Sequence, residues 1–227
     1  MEREPTPAAV LNKLKTLGTA KNVAVYRRHG VDGPLYGVSF EHLSSLAKSI
    51  GKNHRLALRL WASGNHDARI LATMIADAGR LTSAQLDGWA KALGNYVVAD
   101  AFSKLVRTSP LVRLKAAAWT TSRNDWIGQV GWNLVAFLAL SEVSLTQAEF
   151  SRYLDTITRR IHASRNRTRY AMNSALIAIG IRSARLKQKA LWAAARIGTV
   201  AVDHGSTGCK TPDARHYILK SWNRKMA

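Results

Sequence analysis

The sequence predicts an all-α protein made of stacked helical hairpins. Two observations support this fold class: apolar residues recur at the helical period in nearly every segment, and the alternation typical of β-strands is hard to find. Turn-forming residues also interrupt the chain often enough to leave about a dozen short helices. These breaks fall at 17–18, 30–37, 63–65, 78–80, 108–110, 122–125 and 164–166.

Apolar faces and N-terminal caps predict the positions of individual helices. Three stripes have the spacing of one helix face. They are Phe40, Leu43, Leu46, Ala47 and Ile50; Ile70, Leu71, Met74, Ile75 and Ala78; and Phe150, Tyr153, Leu154, Ile157 and Ile161. Two capping boxes, Thr82 with Gln85 and Thr146 with Glu149, predict that helices begin immediately after the two threonines.

Helices that are this short and this numerous do not suit a four-helix bundle. Stacked hairpins of the HEAT and armadillo kind fit better, because each hairpin buries its apolar face only against its neighbours. Internal sequence similarity is weak, so an irregular α-bundle remains the alternative. A length of 227 residues suits one domain spanning 1–227, because single hydrophobic cores stop growing at about 250 residues.

The composition excludes several classes of protein. A hydrophobic fraction of 47% is too high for a disordered chain. The single cysteine, Cys209, cannot form an intramolecular disulfide, and it cannot build a cysteine-based zinc site without several histidines nearby. No apolar run approaches the roughly 18 residues that cross a bilayer. We therefore expect a monomeric cytoplasmic protein without a cofactor. A net charge of +20 and a pI near 10.8 favour a polyanionic partner, such as the DNA of the nucleoid.

Residues 151–189 carry much of this charge, with ten basic residues and one acid, Asp155. Arginine dominates the segment, and its planar guanidinium suits bidentate binding of phosphate. The helix start after the break at 164–166 would add free backbone N–H groups. A solvated basic face without a ligand is the alternative. The predicted phosphate-binding residues are Arg27, Arg28, Arg159, Arg160, Arg165, Arg167, Arg169 and Lys210.

The glycine-rich segment 203–211 superficially resembles a nucleotide-binding loop. A Walker A loop needs four residues between its glycines and a glycine directly before the lysine; here two residues separate Gly205 from Gly208, and Cys209 precedes Lys210. Nucleotide hydrolysis is therefore not expected. Asp203, His204 and Cys209 in such a loop are more typical of turn chemistry than of a metal site, and we predict no bound metal.

Asp100 lies within an apolar helical segment, four residues after Tyr96, so the two side chains share one helix face. A carboxylate beside an aromatic ring can stabilise a developing cation, such as the sugar C1′ during cleavage of a glycosidic bond. The alternative is a structural pair, in which the tyrosine packs in the core and the aspartate caps a helix or pairs with an arginine.

Several blocks of the sequence resemble the DNA alkylation repair family, the AlkD-like HEAT-repeat proteins. The likeness extends over nearly the whole chain, and its strongest blocks match a less-studied branch of that family. The blocks are Leu17-Gly18, Tyr26 to Gly30, Tyr36 to Val38, Asn166 to Asn173 and Val202 to Ala214.

This resemblance implies a right-handed superhelix of HEAT-like helical pairs that holds duplex DNA on a basic concave face. It also implies a glycosylase site with aromatic side chains and an aspartate near the deoxyribose and an arginine near the phosphate. The aspartate corresponds to Asp100 and an N-terminal tyrosine to Tyr26. Tyr96 stands in place of a tryptophan, Gln129 in place of the arginine and Ser174 in place of a second tryptophan.

The resemblance and the charge together lead to a first hypothesis, a glycosylase that removes N3- or N7-alkylated cationic purines from duplex DNA. Asp100, Tyr96, Tyr26 and Gln129 would then form its site. The neighbours of these positions would compensate: Trp126 and Trp132 flank Gln129, and Arg167 and Arg169 precede Ser174. The second hypothesis is a non-catalytic protein that binds distorted or branched duplex DNA. The third is a helical scaffold for an acidic protein.

Overall fold

A computed structural model describes residues 5–142 and 145–226, with side chains as far as residue 224. Within these residues the chain forms thirteen α-helices and one short 3₁₀ helix, Ala78–Arg80, and it forms no strand. The predicted all-α class is therefore confirmed. The helices are α1 Pro7–Leu17, α2 Ala20–Arg28, α3 Phe40–Ile50, α4 His54–Ala62, α5 His66–Ile75, α6 Ser83–Lys91, α7 Tyr96–Val106, α8 Val112–Trp119, α9 Asp125–Leu140, α10 Gln147–Arg160, α11 Asn166–Arg182, α12 Ala184–Ile197 and α13 Ala214–Met226.

The chain folds into two compact units. The first consists of Met1–Pro110 with Gly205–Thr207, and the second of Leu111–His204 with Gly208–Ala227. The single domain 1–227 that the length suggests stays a prediction.

In the first unit, α5 packs against α3, α4 and α7, and α1 packs against α4 and α5. Ile70, Leu71 and Ile75 of α5 are fully buried, as their helical spacing predicts. The rings of Trp61 and Trp89 stack in parallel with their centroids 4.1 Å apart. These buried apolar side chains give the unit its own core.

The predicted stripe on α3 is only partly buried. Leu43 is completely inaccessible, whereas Phe40 is 42% exposed. The reason is tertiary: α3 packs against α5, which covers only part of its apolar face. Phe40 lines a pocket instead.

The loop between α2 and α3 is held by a buried carboxylate that the sequence analysis did not single out. Oδ2 of Asp67 accepts hydrogen bonds from the backbone N–H groups of Tyr36 and Gly37, at 2.6 and 3.2 Å, and Oδ1 accepts one from Val38 at 2.9 Å. Gly37 has φ +79°, and a Cβ there would lie 2.6 Å from the carbonyl oxygen of Thr19. Only glycine fits this contact.

In the second unit, α9 and α11 form the central pair; α8 packs on α9, while α12 and α13 pack on α11. Trp132, Phe150, Leu154 and Ile157 are buried in its core. The predicted capping box of Thr146 and Glu149 is present at the start of α10, and that of Thr82 and Gln85 is present at the start of α6. Both helix starts are therefore confirmed.

Candidate functional site

The first unit contains a pocket of about 680 Å³ that brings together three of the predicted catalytic residues. Tyr96 and Asp100, one turn apart on α7, both line it, and Tyr26 reaches it from α2. Phe40 contributes a further aromatic ring. The pocket thus combines one carboxylate with aromatic and aliphatic surface, the arrangement expected of many small-ligand sites.

Hydrogen bonds fix the two tyrosines in this pocket. The buried Tyr26 hydroxyl donates a 2.6 Å hydrogen bond to the carbonyl oxygen of Val38. Burial, and secondly the charge of Asp67, raise the pKa of Tyr26, so its phenol stays protonated. A hydrogen bond joins the Tyr96 hydroxyl to Nδ1 of His29, a partner that the sequence analysis missed. Both tyrosines therefore present ring surface in a fixed orientation.

Asp100 is half-buried on α7, and Lys104 follows one turn later on the same helix and lines the same pocket. Lys52 also lines the pocket, but its ammonium group donates to the carbonyl oxygens of Met74 and Ala76, at 3.2 and 2.8 Å. Among the described residues that line this pocket, Asp100 is the only one with an acidic side chain.

Gln129 lies in the second unit, on α9, and is only 3% exposed. Its amide therefore offers almost no surface to a phosphate. Ser174, on α11, is half-buried, and its hydroxyl donates to the carbonyl oxygen of Tyr170 at 3.2 Å. Trp132 is 1% exposed, and Trp126 is half-buried.

The predicted phosphate-binding residues differ in what their side chains do. Six are exposed, namely Arg27, Arg28, Arg159, Arg160, Arg165 and Lys210. Arg167 and Arg169 are half-buried. The guanidinium of Arg169 donates to three backbone carbonyl oxygens, those of Ala201, His162 and Ser164, at 2.8, 3.1 and 2.8 Å. Its donors therefore join the α10–α11 turn to the segment that follows α12.

The expectation of free N–H groups at the start of α11 is wrong. The carboxylate of Asp125 accepts hydrogen bonds from the backbone N–H groups of Arg167 and Thr168, at 3.1 and 2.7 Å. The N-cap residue, Arg165, makes no capping hydrogen bond with its own side chain, so Asp125 of α9 supplies the cap instead. A phosphate would have to displace this carboxylate to reach these donors.

Two of the blocks that carry the family resemblance are joined to each other in the second unit. Asn166 and Asp203 exchange two hydrogen bonds: the Asn166 amide donates to the Asp203 carbonyl at 2.7 Å and accepts from its N–H at 2.8 Å. The amide of Asn173, a fully buried residue, donates to the Pro212 carbonyl at 2.8 Å. These side chains fix the segment after α12 onto α11. In the described part of the chain, no three His, Cys, Asp or Glu side chains group as a metal site requires.

The second unit also has a smaller pocket, of about 270 Å³, between the α8–α9 and α10–α11 turns. Arg123, Arg160 and Arg165 line it together with Trp132. Arg160 and Arg165 belong to the predicted phosphate-binding set, whereas Arg123 was not singled out.

Comparison with known proteins decides the family. The sequence profile described as "DNA alkylation repair enzyme" matches residues 10–218. The chain belongs to the DNA alkylation repair family. Two uncharacterized Listeria proteins, Lmo0209 of Listeria monocytogenes and Lin0241 of Listeria innocua, are each 30% identical to it over 223 residues, covering 93% of this chain and 95% of theirs.

One solved structure is similar throughout. It comes from a family of proteins described as related to the HEAT-like repeat DNA glycosylases, with affinity for branched DNA structures. It covers 97% of this chain and 95% of its own, with a TM-score of 0.88 and 26% sequence identity. This similarity confirms the predicted HEAT-like helical fold for this member of the DNA alkylation repair family and excludes the irregular bundle. In the described residues, no helix has the length and apolarity needed to cross a membrane.

Proposed function

We propose that this protein acts in DNA repair by binding duplex DNA, including distorted or branched duplexes, mainly through phosphate contacts from exposed arginines. The observation that carries the proposal is an excess of positive charge that the protein itself does not neutralise. Both carboxylate oxygens of Asp155, the sole acid in residues 151–189, lie 2.9 Å from the ammonium of Lys189. The exposed arginines Arg159, Arg160 and Arg165 are left to attract an external anion.

The comparisons support the same proposal from a second direction. The chain shares the family and the fold of a protein described by its affinity for branched DNA. We extend the proposal to a monomer that associates with nucleoid DNA in the cytoplasm. Because phosphate contacts release counterions from DNA, the affinity should fall steeply with salt and depend little on base sequence.

The test measures fluorescence anisotropy with a four-way junction and with a linear duplex of equal length, each at several salt concentrations. Arg159→Ala should weaken binding to both and lower the salt slope by about one phosphate contact. Arg55→Ala removes another exposed arginine, outside the predicted set, and should change the slope less. The proposal would be contradicted if the unmodified protein, Arg159→Ala and Arg55→Ala bound DNA with equal affinities that did not change with salt.

A second candidate function is hydrolysis of the N-glycosidic bond of alkylated purines, and the pocket in the first unit favours it. Asp100 and Tyr96 line that pocket side by side, and the hydrogen bond between Nδ1 of His29 and the Tyr96 hydroxyl holds the Tyr96 ring. An N3- or N7-alkylated purine carries a positive charge, so it leaves as a neutral base when its bond to C1′ breaks. The Asp100 carboxylate would stabilise the resulting oxocarbenium-like charge on the sugar, and water would then add to C1′ and lose a proton.

The decisive measurement for this candidate is release of N7-methylguanine and N3-methyladenine from methylated duplex DNA. Asp100→Asn should abolish release and leave DNA affinity nearly unchanged, because the amide keeps the shape but not the charge. Asp32→Asn, at an exposed carboxylate in the α2–α3 loop, is the matched control. If the unmodified protein binds methylated DNA but releases no base, the glycosylase function is excluded and only the DNA-binding function remains.

A further inference from the structure

The small pocket of the second unit, which we call the arginine pocket, is lined by three arginines, Arg123, Arg160 and Arg165. They come from three places in the chain: the α8–α9 turn, the end of α10 and the residue before α11. Like charges that meet in one pocket repel each other, and an anion between them removes that cost. The sequence does not predict that these arginines meet, because 37 residues separate Arg123 from Arg160.

The three arginines have no acidic partner among the described residues. No aspartate or glutamate of that part of the chain lines the arginine pocket, and none of the three guanidinium groups makes an ion pair or a hydrogen bond within it. The carboxylate nearest to Arg123 in sequence, Asp125, already accepts from the N–H groups of Arg167 and Thr168. The charge in the pocket is therefore uncompensated by these residues.

An independent observation concerns Trp132, which lines the same pocket and is 1% exposed. Its indole Nε1 is buried and has no hydrogen-bond partner among the described residues. A buried N–H group without an acceptor is uncommon in proteins and indicates a missing partner. The ligand of this pocket would therefore supply an acceptor as well as negative charge.

The other polar groups that line the arginine pocket further limit which ligand it can bind. The hydroxyls of Thr121, Ser164 and Thr168 donate to the carbonyl oxygens of Ala118, Arg160 and Asp125, at 2.7, 2.8 and 3.0 Å. Thr120 and Thr156 likewise donate to the carbonyl oxygens of Ala117 and Arg152, at 3.1 and 3.0 Å. The side-chain donors left for a ligand are then those of the three arginines, the indole and the Ser122 hydroxyl, which accepts from the Asn124 N–H at 3.1 Å. A volume of about 270 Å³ lies below the ~300–1,000 Å³ of pockets that hold drug-sized ligands, so a small anionic group fits better.

We propose that the arginine pocket binds a phosphate monoester dianion, with Arg123, Arg160 and Arg165 neutralising its charge and the Trp132 indole donating to one oxygen. A dianion matches three cations better than the single charge of an internal phosphodiester. Two sources share this chemistry, the terminal phosphate of a DNA strand and free inorganic phosphate. The strand-end source rests on the DNA binding proposed above, whereas binding of inorganic phosphate does not.

The first experiment titrates inorganic phosphate, at constant ionic strength, while the indole N–H resonances of the full chain are followed by NMR. The Trp132 signal, assigned with Trp132→Phe, should shift in a saturable way. Arg160→Gln should weaken phosphate binding about tenfold or more, since a charge-assisted hydrogen bond is lost. Arg215→Gln changes an exposed arginine of α13 outside the pocket, so its affinity for phosphate should stay within about twofold of that of the unmodified protein.

The second experiment distinguishes the two sources with blunt duplexes that differ only in their ends, bearing a 5′-phosphate, a 3′-phosphate or hydroxyl groups alone. Tighter binding of a phosphorylated end that disappears in Arg160→Gln identifies the strand end as the source. Equal affinity for all ends, with saturable binding of inorganic phosphate, identifies free phosphate. If the Trp132 signal does not respond, or Arg160→Gln binds phosphate as well as the unmodified protein does, the proposal is overturned. Affinity for the hydroxyl-ended duplex reports on general DNA binding in the same titration, so the two proposals fail separately.

Discussion

Asp125 caps the start of α11, and Thr168 returns a hydrogen bond to the backbone of Asp125, so that the two residues form a reciprocal pair. Oδ1 of Asp125 accepts from the Thr168 N–H at 2.7 Å, and the Thr168 hydroxyl donates to the Asp125 carbonyl oxygen at 3.0 Å. Glycine at position 128 allows α11 to approach α9 this closely, because a Cβ there would lie 2.4 Å from the Thr168 hydroxyl oxygen. These hydrogen bonds hold the N-terminus of α9 against the N-terminus of α11.

We expect Asp125→Ala to destabilise the protein by about 2–3 kcal/mol, because two backbone N–H groups lose a charged acceptor. Urea denaturation followed by circular dichroism measures the change in the free energy of unfolding. Asp32→Ala, an exposed carboxylate without such contacts in the described residues, should change it by less than about 0.5 kcal/mol. Equal effects of the two substitutions would refute the capping role.

Asp67→Asn should be destabilising by about 2–4 kcal/mol. The buried carboxylate accepts three N–H groups, and an amide would direct its own NH₂ donors toward at least one of them. Asp77→Asn is the control, because Asp77 accepts one exposed N–H, that of Gly79, at 2.9 Å. Chemical denaturation of both variants tests the difference. A cost at Asp67 no larger than that at Asp77 would show that the carboxylate does not hold the α2–α3 loop.

Arg169→Ala should lower stability by about 2–3 kcal/mol, or roughly 4–12 °C in Tm, because three carbonyl oxygens lose a shared donor. Arg159→Ala, by contrast, should leave Tm within about 2 °C, since this side chain is exposed on α10. Thermal denaturation and DNA titration of both variants separate the two roles. An Arg169→Ala protein with unchanged Tm and weakened DNA binding would assign Arg169 to DNA contact instead.

Stability should fall as the pH drops below about 6.5, partly through His66. Burial is the main cause that lowers its pKa; the charges of Arg69 and Arg27 act in the same direction, and that of Asp67 opposes them. A histidine with a lowered folded-state pKa binds more protons when unfolded, so its contribution is present above the unfolded pKa and is lost as the pH falls toward the folded pKa.

The free energy of unfolding, measured between pH 7.5 and 5.5, tests this prediction. His66→Gln should reduce the pH slope by up to about 1.4 kcal/mol per unit. His42→Gln, at an exposed histidine on α3, should leave the slope unchanged. Equal slopes in the unmodified protein and in His66→Gln would contradict the assignment.

The sequence alone determined the features that depend on neighbours along the chain. Helical periodicity identified Ile70, Leu71 and Ile75 as core residues, and local capping chemistry fixed the helix starts after Thr82 and Thr146. Shared positions on one helix face also placed Tyr96 beside Asp100 in one pocket. Each of these relationships spans only a few residues, so the backbone period decides it.

Only the tertiary structure decided which charged and polar groups remain available to a ligand. Composition made Arg169 and Arg160 look alike, yet the first is bonded to three carbonyl oxygens and the second lines an arginine pocket. Asp67 and Asp125 each lie in the first turn of a helix, and nothing near them along the chain identifies the groups that they bind. Their partners lie about 30 and 40 residues away, a separation at which periodicity carries no information. Packing between distant helices chose these partners, since a buried donor or acceptor must find one wherever the chain brings it close.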